Sequence, residues 1–125
     1  MGEKILIVED DKTLLEAIKF KLENEGYHVE KAEDGWEALT VVERNKIDLI
    51  ISDIMMPNIS GLCLLSILSE FNLDKIPVIV ISSLDKANII MSAMEMSASD
   101  FMVKPINFDE LCLKITLLLN KKNTV

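Results

Sequence analysis

The stretch Ile47-Asp48-Leu49-Ile50-Ile51-Ser52-Asp53-Ile54-Met55-Met56-Pro57 decides the fold. A short apolar run bounded by turn signals is a buried strand, and Met56-Pro57-Asn58 with Ser60-Gly61 ends it. Asp53 therefore stands where the strand leaves the sheet, the edge at which open α/β sheets bind ligands. A lone aspartate there is as readily a turn or helix cap. The other strand ends decide between the two. Lys4-Ile5-Leu6-Ile7-Val8 runs into Glu9-Asp10-Asp11, Val78-Ile79-Val80-Ile81 into Ser82-Ser83, and Phe101-Met102-Val103 into Lys104-Pro105. Acids, a hydroxyl, a lysine and the central aspartate thus converge on one edge of a parallel sheet.

Outward from that stretch the alternation is regular. Strands are expected at Lys4 to Val8, Val29 to Ala32, Asp48 to Ser52, Val78 to Ile81 and Asp100 to Val103. Helices are expected at Lys12 to Glu25, Gly35 to Arg44, Ser60 to Glu70, Asp85 to Met96 and Asn107 to Asn120. Strands alternating with helical patterns of this length imply βαβ units, hence a parallel sheet covered on both faces. Asp11 is placed to cap the first helix, which carries Leu14, Leu15, Ile18 and Leu22 at helical spacing and stops at Gly26. Trp36 is expected to be a partly exposed packing residue, and His28, opening a strand without metal-type partners, a surface or satisfied histidine. The polar tail Lys121-Lys122-Asn123-Thr124-Val125 is expected to fray.

At 125 residues, half of them apolar and 27% charged, the chain has the size and composition of a single globular domain spanning residues 1–125. A net charge of -8 argues against direct nucleic-acid binding by this chain, because phosphate contacts require a basic face. No apolar stretch approaches the roughly 20 residues of a membrane span, and acids follow Val8 at once where a signal peptide would continue apolar. A cytoplasmic location and no membrane contact are the expectation. Cys63 and Cys112 have no metal-ligand spacing and are expected to be reduced packing residues.

With Ile-Val-Glu-Asp-Asp, Ser-Asp-Ile-Met-Met-Pro, Val-Ile-Val-Ile-Ser and Val-Lys-Pro in this order and spacing, the chain resembles the receiver domains of two-component response regulators. The chemotaxis receiver is the best-known single-domain type. The resemblance covers essentially the whole chain. Together with right-handed crossovers it implies a three-layer α/β fold, a five-stranded parallel sheet in order 2-1-3-4-5 with five helices on its two faces. It implies a signalling switch, not an enzyme acting on a separate substrate. A sensor histidine kinase or phosphotransfer protein would be the partner.

Glu9 and Asp10 beside Asp53 form a dense negative cluster that calls for a divalent cation, and oxygen-only ligands point to Mg²⁺, or Mn²⁺ in its place. By the resemblance Asp10, Asp53 and the backbone carbonyl of Met55 bind the metal directly, and Glu9 acts through water. Asp53 is the phosphoacceptor, Lys104 pairs with the phosphoryl oxygens, Ser82 donates a hydrogen bond to another, and Phe101 is the aromatic partner of the Ser82 switch. Phe101 stands where tyrosine is common, Ser60-Gly61 replaces the usual Asp-Gly, and Ser97 stands where glycine is usual. None of these departures touches the metal or phosphoryl groups. Met55 and Leu84 occupy the family's water-influencing positions without polar atoms, which implies a long-lived phosphoryl group.

Two other chemistries fit less well. A dehalogenase-type aspartate phosphatase uses a second acid two residues after its nucleophile, where this chain has Met55. A nucleotide- or flavin-binding domain needs a glycine-rich turn after the first strand, where this chain has Glu9-Asp10-Asp11. The last helix carries Phe108, Leu111, Cys112, Ile115, Leu118 and Leu119 on one stripe, with Leu113 and Leu117 pointing away. On the fourth helix Ile90, Met91 and Met94 share one side and Ile89 and Met96 lie roughly opposite. That surplus apolar surface points to a homodimer or partner face built by the fourth helix, fifth strand and fifth helix.

Overall fold

Apolar side chains leave the central strands alternately up and down, as the two-residue period of a strand requires, and so build one core on each side of the sheet. A computed structural model describes residues 2–54, 61–71, 73, 75–83, 87–95 and 98–123. The elements are β1 (Lys4–Val8), α1 (Lys12–Asn24), β2 (His28–Ala32), α2 (Gly35–Arg44), β3 (Leu49–Asp53), α3 (Gly61–Glu70), β4 (Val78–Ser82), α4 (Ala87–Glu95), β5 (Asp100–Val103) and α5 (Phe108–Asn123). All neighbouring strands pair in parallel, in the order β2-β1-β3-β4-β5. The three-layer α/β architecture expected from the sequence is the one observed.

One core joins Ile5, Ile7, Leu49, Ile51, Ile79, Ile81 and Met102 of the sheet to Leu15, Ile18 and Leu22 of α1 and Leu111, Ile115 and Leu119 of α5. The other joins Leu6, Val8, Ile50, Val78 and Val80 to residues of α2, α3 and α4, among them Ala38, Leu64 and Ala93. Strands β3 and β4 are buried along their whole length, which is why their sequences are continuous apolar runs and not alternating ones.

Local chemistry sets the helix ends. The Asp11 side chain accepts hydrogen bonds from the backbone N–H groups of Thr13 and Leu14, and that of Asp34 from Glu37. At the end of α1 the N–H of Gly26 donates to the carbonyl of Glu23, and that of Tyr27 to the carbonyl of Leu22. Gly26 sits at φ +97°, a left-handed conformation that this closure needs and that glycine adopts without steric cost.

The structure departs from the sequence expectations at a few places. Helix α5 runs to Asn123, three residues past the expected end at Asn120, and Thr124 and Val125 of the tail lie outside the described residues. No glycine or proline stops the helix, and lysines near its end interact favourably with the C-terminal end of the dipole. Trp36 is partly exposed as expected, at 62%, whereas Cys63 is exposed and not a buried packing residue, because α3 needs only one stripe to cover the sheet. Ser60, Leu84, Met96 and Ser97, together with the side chains of Ile89 and Ile90, lie outside the described residues.

Ile51→Ala is expected to destabilise the fold by about 2–5 kcal/mol, the usual range for truncating a fully buried aliphatic side chain. Leu113→Ala, at an exposed position, should stay within about 0.5 kcal/mol of the parent. Urea unfolding followed by circular dichroism measures both. Equal losses at the two positions would mean that the core is misplaced.

Candidate functional site

The row Ile5, Ile7 continues into Glu9, the row Leu49, Ile51 into Asp53, and Met102 into Lys104. All three polar residues therefore stand on the α1/α5 side of the sheet at the carboxyl ends of β1, β3 and β5. Backbone bonds hold these ends in place. The N–H of Glu9 donates to the carbonyl of Ala32 at 3.0 Å, that of Ile54 to Ile81 at 2.9 Å, and that of Lys104 to Ser82 at 2.8 Å.

Lys104 Nζ lies 3.0 Å from Asp53 Oδ2 and 3.4 Å from Glu9 Oε1. Glu9 Oε1 also accepts the N–H of Asp11 at 3.2 Å. Glu9 and Asp53 are buried, whereas Asp10 is exposed, and one carboxylate oxygen from each of the three lies within 4.8 Å of the others. Among the described residues Glu9 Oε2 and the hydroxyl of Ser82 are buried without a hydrogen-bond partner. A buried polar atom without a partner is costly.

Burial foremost, and then the charge of Asp53, push the Glu9 carboxyl up to about 7, against the pull of the Asp11 N–H and of Lys104. Burial opposes the Lys104 ammonium. The hydrogen bond and charge of Asp53, followed by those of Glu9, outweigh it and leave the lysine above its ordinary value. Among the described residues the cluster offers oxygen donors only, one of them without a partner, and their charge exceeds what one lysine neutralises. That donor set fits a hard divalent cation such as Mg²⁺.

The row Val78, Val80 continues into Ser82 on the opposite side of the sheet. Phe101 pairs with Val80 in the ladder and so shares that side, one diagonal from Ser82 and partly exposed. The structure thus brings Glu9, Asp10, Asp53 and Lys104 together and sets Ser82 and Phe101 as neighbours. The carbonyl of Met55 lies outside the described residues. The sequence reading missed that Lys104 rests between Asp53 and Glu9. Charge balance was the available signal, since carboxylates facing one another at a buried edge require a cation.

A family model described as "Response regulator receiver domain" matches residues 5–116. The chain belongs to the response-regulator receiver family. This receiver domain is 32% identical over 121 residues to the response regulator MprA of Mycobacterium sp. (strain KMS), covering 97% of this chain and 52% of that protein. It is 34% identical over 118 residues to MprA of Mycobacterium leprae, covering 94% and 51%. The receiver domain thus spans about half the length of the curated relatives it matches. Among solved structures, the receiver domain of the Francisella response regulator 1452 superimposes with a TM-score of 0.91 at 34% identity, covering 98% of this chain and all of that one. The signal receiver domain of a signal transduction histidine kinase from Syntrophus aciditrophicus gives 0.90 at 34%, covering 99% and 95%. Among the described residues no helix is long and apolar enough to cross a membrane.

The raised Glu9 carboxyl makes stability of the metal-free receiver depend on pH. Its folded value lies above its ordinary 4.5, so its contribution is fully present below about 4.5 and is lost as pH rises through about 7. Glu9→Gln is therefore expected to raise the melting temperature in EDTA at pH 8 and to leave it nearly unchanged at pH 4.5. Scanning calorimetry at the two pH values checks this, and a larger gain at pH 4.5 would reverse the assignment.

Proposed function

We propose that this receiver domain accepts a phosphoryl group on Asp53 from the phosphohistidine of a sensor histidine kinase or phosphotransfer protein, and that the modification switches a surface on α4, β5 and α5. The observation that carries this is the contact of Lys104 with Asp53, 3.0 Å apart at the carboxyl edge of the sheet, with two more carboxylates beside it. A carboxylate held there serves as nucleophile, and a lysine held there neutralises charge on the transferred oxygens.

In the transfer, an Asp53 carboxylate oxygen bonds to phosphorus as the histidine N–P bond breaks, and its electron pair stays on the imidazole nitrogen, which then takes a proton. Lys104 moves its pairing from the carboxylate to the phosphoryl oxygens, a short step for a flexible stem. Ser82, whose hydroxyl is buried without a partner among the described residues, turns to donate to another phosphoryl oxygen, and Phe101 follows into the space vacated. Asp10, Asp53 and the backbone carbonyl of Met55 would hold Mg²⁺, or Mn²⁺ in its place, with Glu9 acting through water, and the ion would neutralise charge on the phosphoryl oxygens. With no polar side chain at Met55 or Leu84 to orient water, the phosphoryl group is long-lived.

The output surface carries exposed Met91, Met94, Phe101, Leu113 and Leu117, more apolar area than α4 and α5 need to cover the sheet. Self-association through this face when phosphorylation shifts the conformational population is the reading it supports. Residues 1–125 act as one receiver unit, a cytoplasmic signalling switch and not an enzyme with a substrate of its own. Its net charge of -8 argues against direct contact with nucleic acid by this unit, and nothing in its chemistry calls for a membrane.

Incubation with acetyl phosphate and Mg²⁺ is expected to add one phosphate by mass spectrometry, stable for minutes or longer, and Asp53→Ala should abolish it. Labelling of Asp53→Ala at the parent rate would remove Asp53 from its role. By light scattering, beryllofluoride should convert the parent to a dimer, and Leu113→Glu with Leu117→Glu should leave it a monomer. A parent that stays monomeric in both conditions refutes self-association.

A further inference from the structure

Strand β4 ends in Ser82 and Ser83 follows it directly, so two hydroxyls stand at the site edge. Val78 and Val80 belong to the core beneath α2, α3 and α4, while Ile79 and Ile81 belong to the core beneath α1 and α5. Continuing each row by one step puts Ser82 on the first side and Ser83 on the second. Glu9, Asp53 and Lys104 extend rows of that second core. The ladder fixes the height as well. Asp53 pairs with Ile81, so Ser83, two residues on and just past the end of β4, lies up to about 7 Å beyond that pairing towards the open edge. The Ser82 carbonyl still accepts the N–H of Lys104, which keeps the chain in the ladder up to the residue before Ser83. Unlike buried Ser82, Ser83 is exposed.

We infer that Ser83 is a second hydroxyl donor to the phosphoryl group, acting from the solvent side of Asp53 while Ser82 acts from the opposite side of the sheet. This rests on Asp53 being the phosphoacceptor. Phosphoryl oxygens on Asp53 project from the strand end into the space on the α1/α5 side. Lys104 meets one of them there, and a side chain one step beyond Ile81 in the neighbouring row meets another. The Ser83 hydroxyl donates its hydrogen and takes no part in bond making or breaking.

The test compares Ser83→Ala, Ser83→Val and Ser83→Thr with the parent and with Asp53→Ala, in the rate at which acetyl phosphate with Mg²⁺ adds phosphate by intact-mass spectrometry. Beryllofluoride affinity of each serves as a readout free of turnover. Loss of one such hydrogen bond should slow labelling and weaken beryllofluoride binding by about threefold to tenfold in the alanine and valine variants. Threonine, which keeps the hydroxyl, should restore both. Alanine at the parent rate, or valine matching threonine, overturns the role of Ser83 while labelling of the parent and not of Asp53→Ala leaves the phosphoacceptor standing. A parent that takes up no phosphate, or an Asp53→Ala protein that does, overturns both.

Discussion

The contact of Lys104 with Asp53 and Glu9 is the constraint on which the rest of the structure turns. Buried carboxylates facing one another at the edge of an apolar sheet are costly to ionise, and each lowers the tolerance for the next. One lysine at 3.0 and 3.4 Å offsets part of that cost. The remainder shows in the raised Glu9 carboxyl and in its unpartnered Oε2. The resting site is thus under-neutralised. Such a site has affinity for further positive charge and, once that is present, for the anionic oxygens of a phosphoryl group, which supports the proposed function.

Holding these charges in one place is the work of the sheet. Glu9, Asp53 and Lys104 come from β1, β3 and β5, far apart in the chain, and only the parallel register brings them to one edge. A slip of one residue in any of these strands would send its apolar row to the wrong face and its polar residue with it. The continuous apolar runs of β3 and β4, buried on both faces, exclude such slips strongly. Precision at the polar edge is therefore a by-product of the hydrophobic registry behind it.

The same logic explains what was legible in the sequence. The apolar runs, their spacing and the residues that end them were enough to identify the strands and the convergence of Glu9, Asp10, Asp53 and Lys104, because these follow from period and order along the chain, whereas the strand order rested partly on the family resemblance. Quantities that depend on side-chain packing were not. That Lys104 would lie against the carboxylates depends on which rotamer a flexible stem adopts. That Cys63 would be exposed depends on how narrow a stripe α3 needs. Helix α5 runs past the expected end at Asn120 because the polar Lys121 and Lys122 carry no stop signal. Lysine is a good helix former, and at a C-terminal turn its charge is favourable.

Strand alternation also separates the two halves of a switch. The charge cluster lies on the side covered by α1 and α5, whereas Ser82 and Phe101 lie on the side covered by α2, α3 and α4. A change in charge on Asp53 must therefore be communicated through the sheet, and β4 provides the route, because successive residues of one strand face opposite sides. Ser82 stands at the strand end beside Asp53, and among the described residues its hydroxyl has no partner. Drawing that hydroxyl towards a new anion costs no existing hydrogen bond on the far side, where Phe101 is already partly exposed and a ring can change position with little repacking. On the proposed function, the low cost of that movement is what lets a modification on one side of a rigid sheet alter the surface on the other.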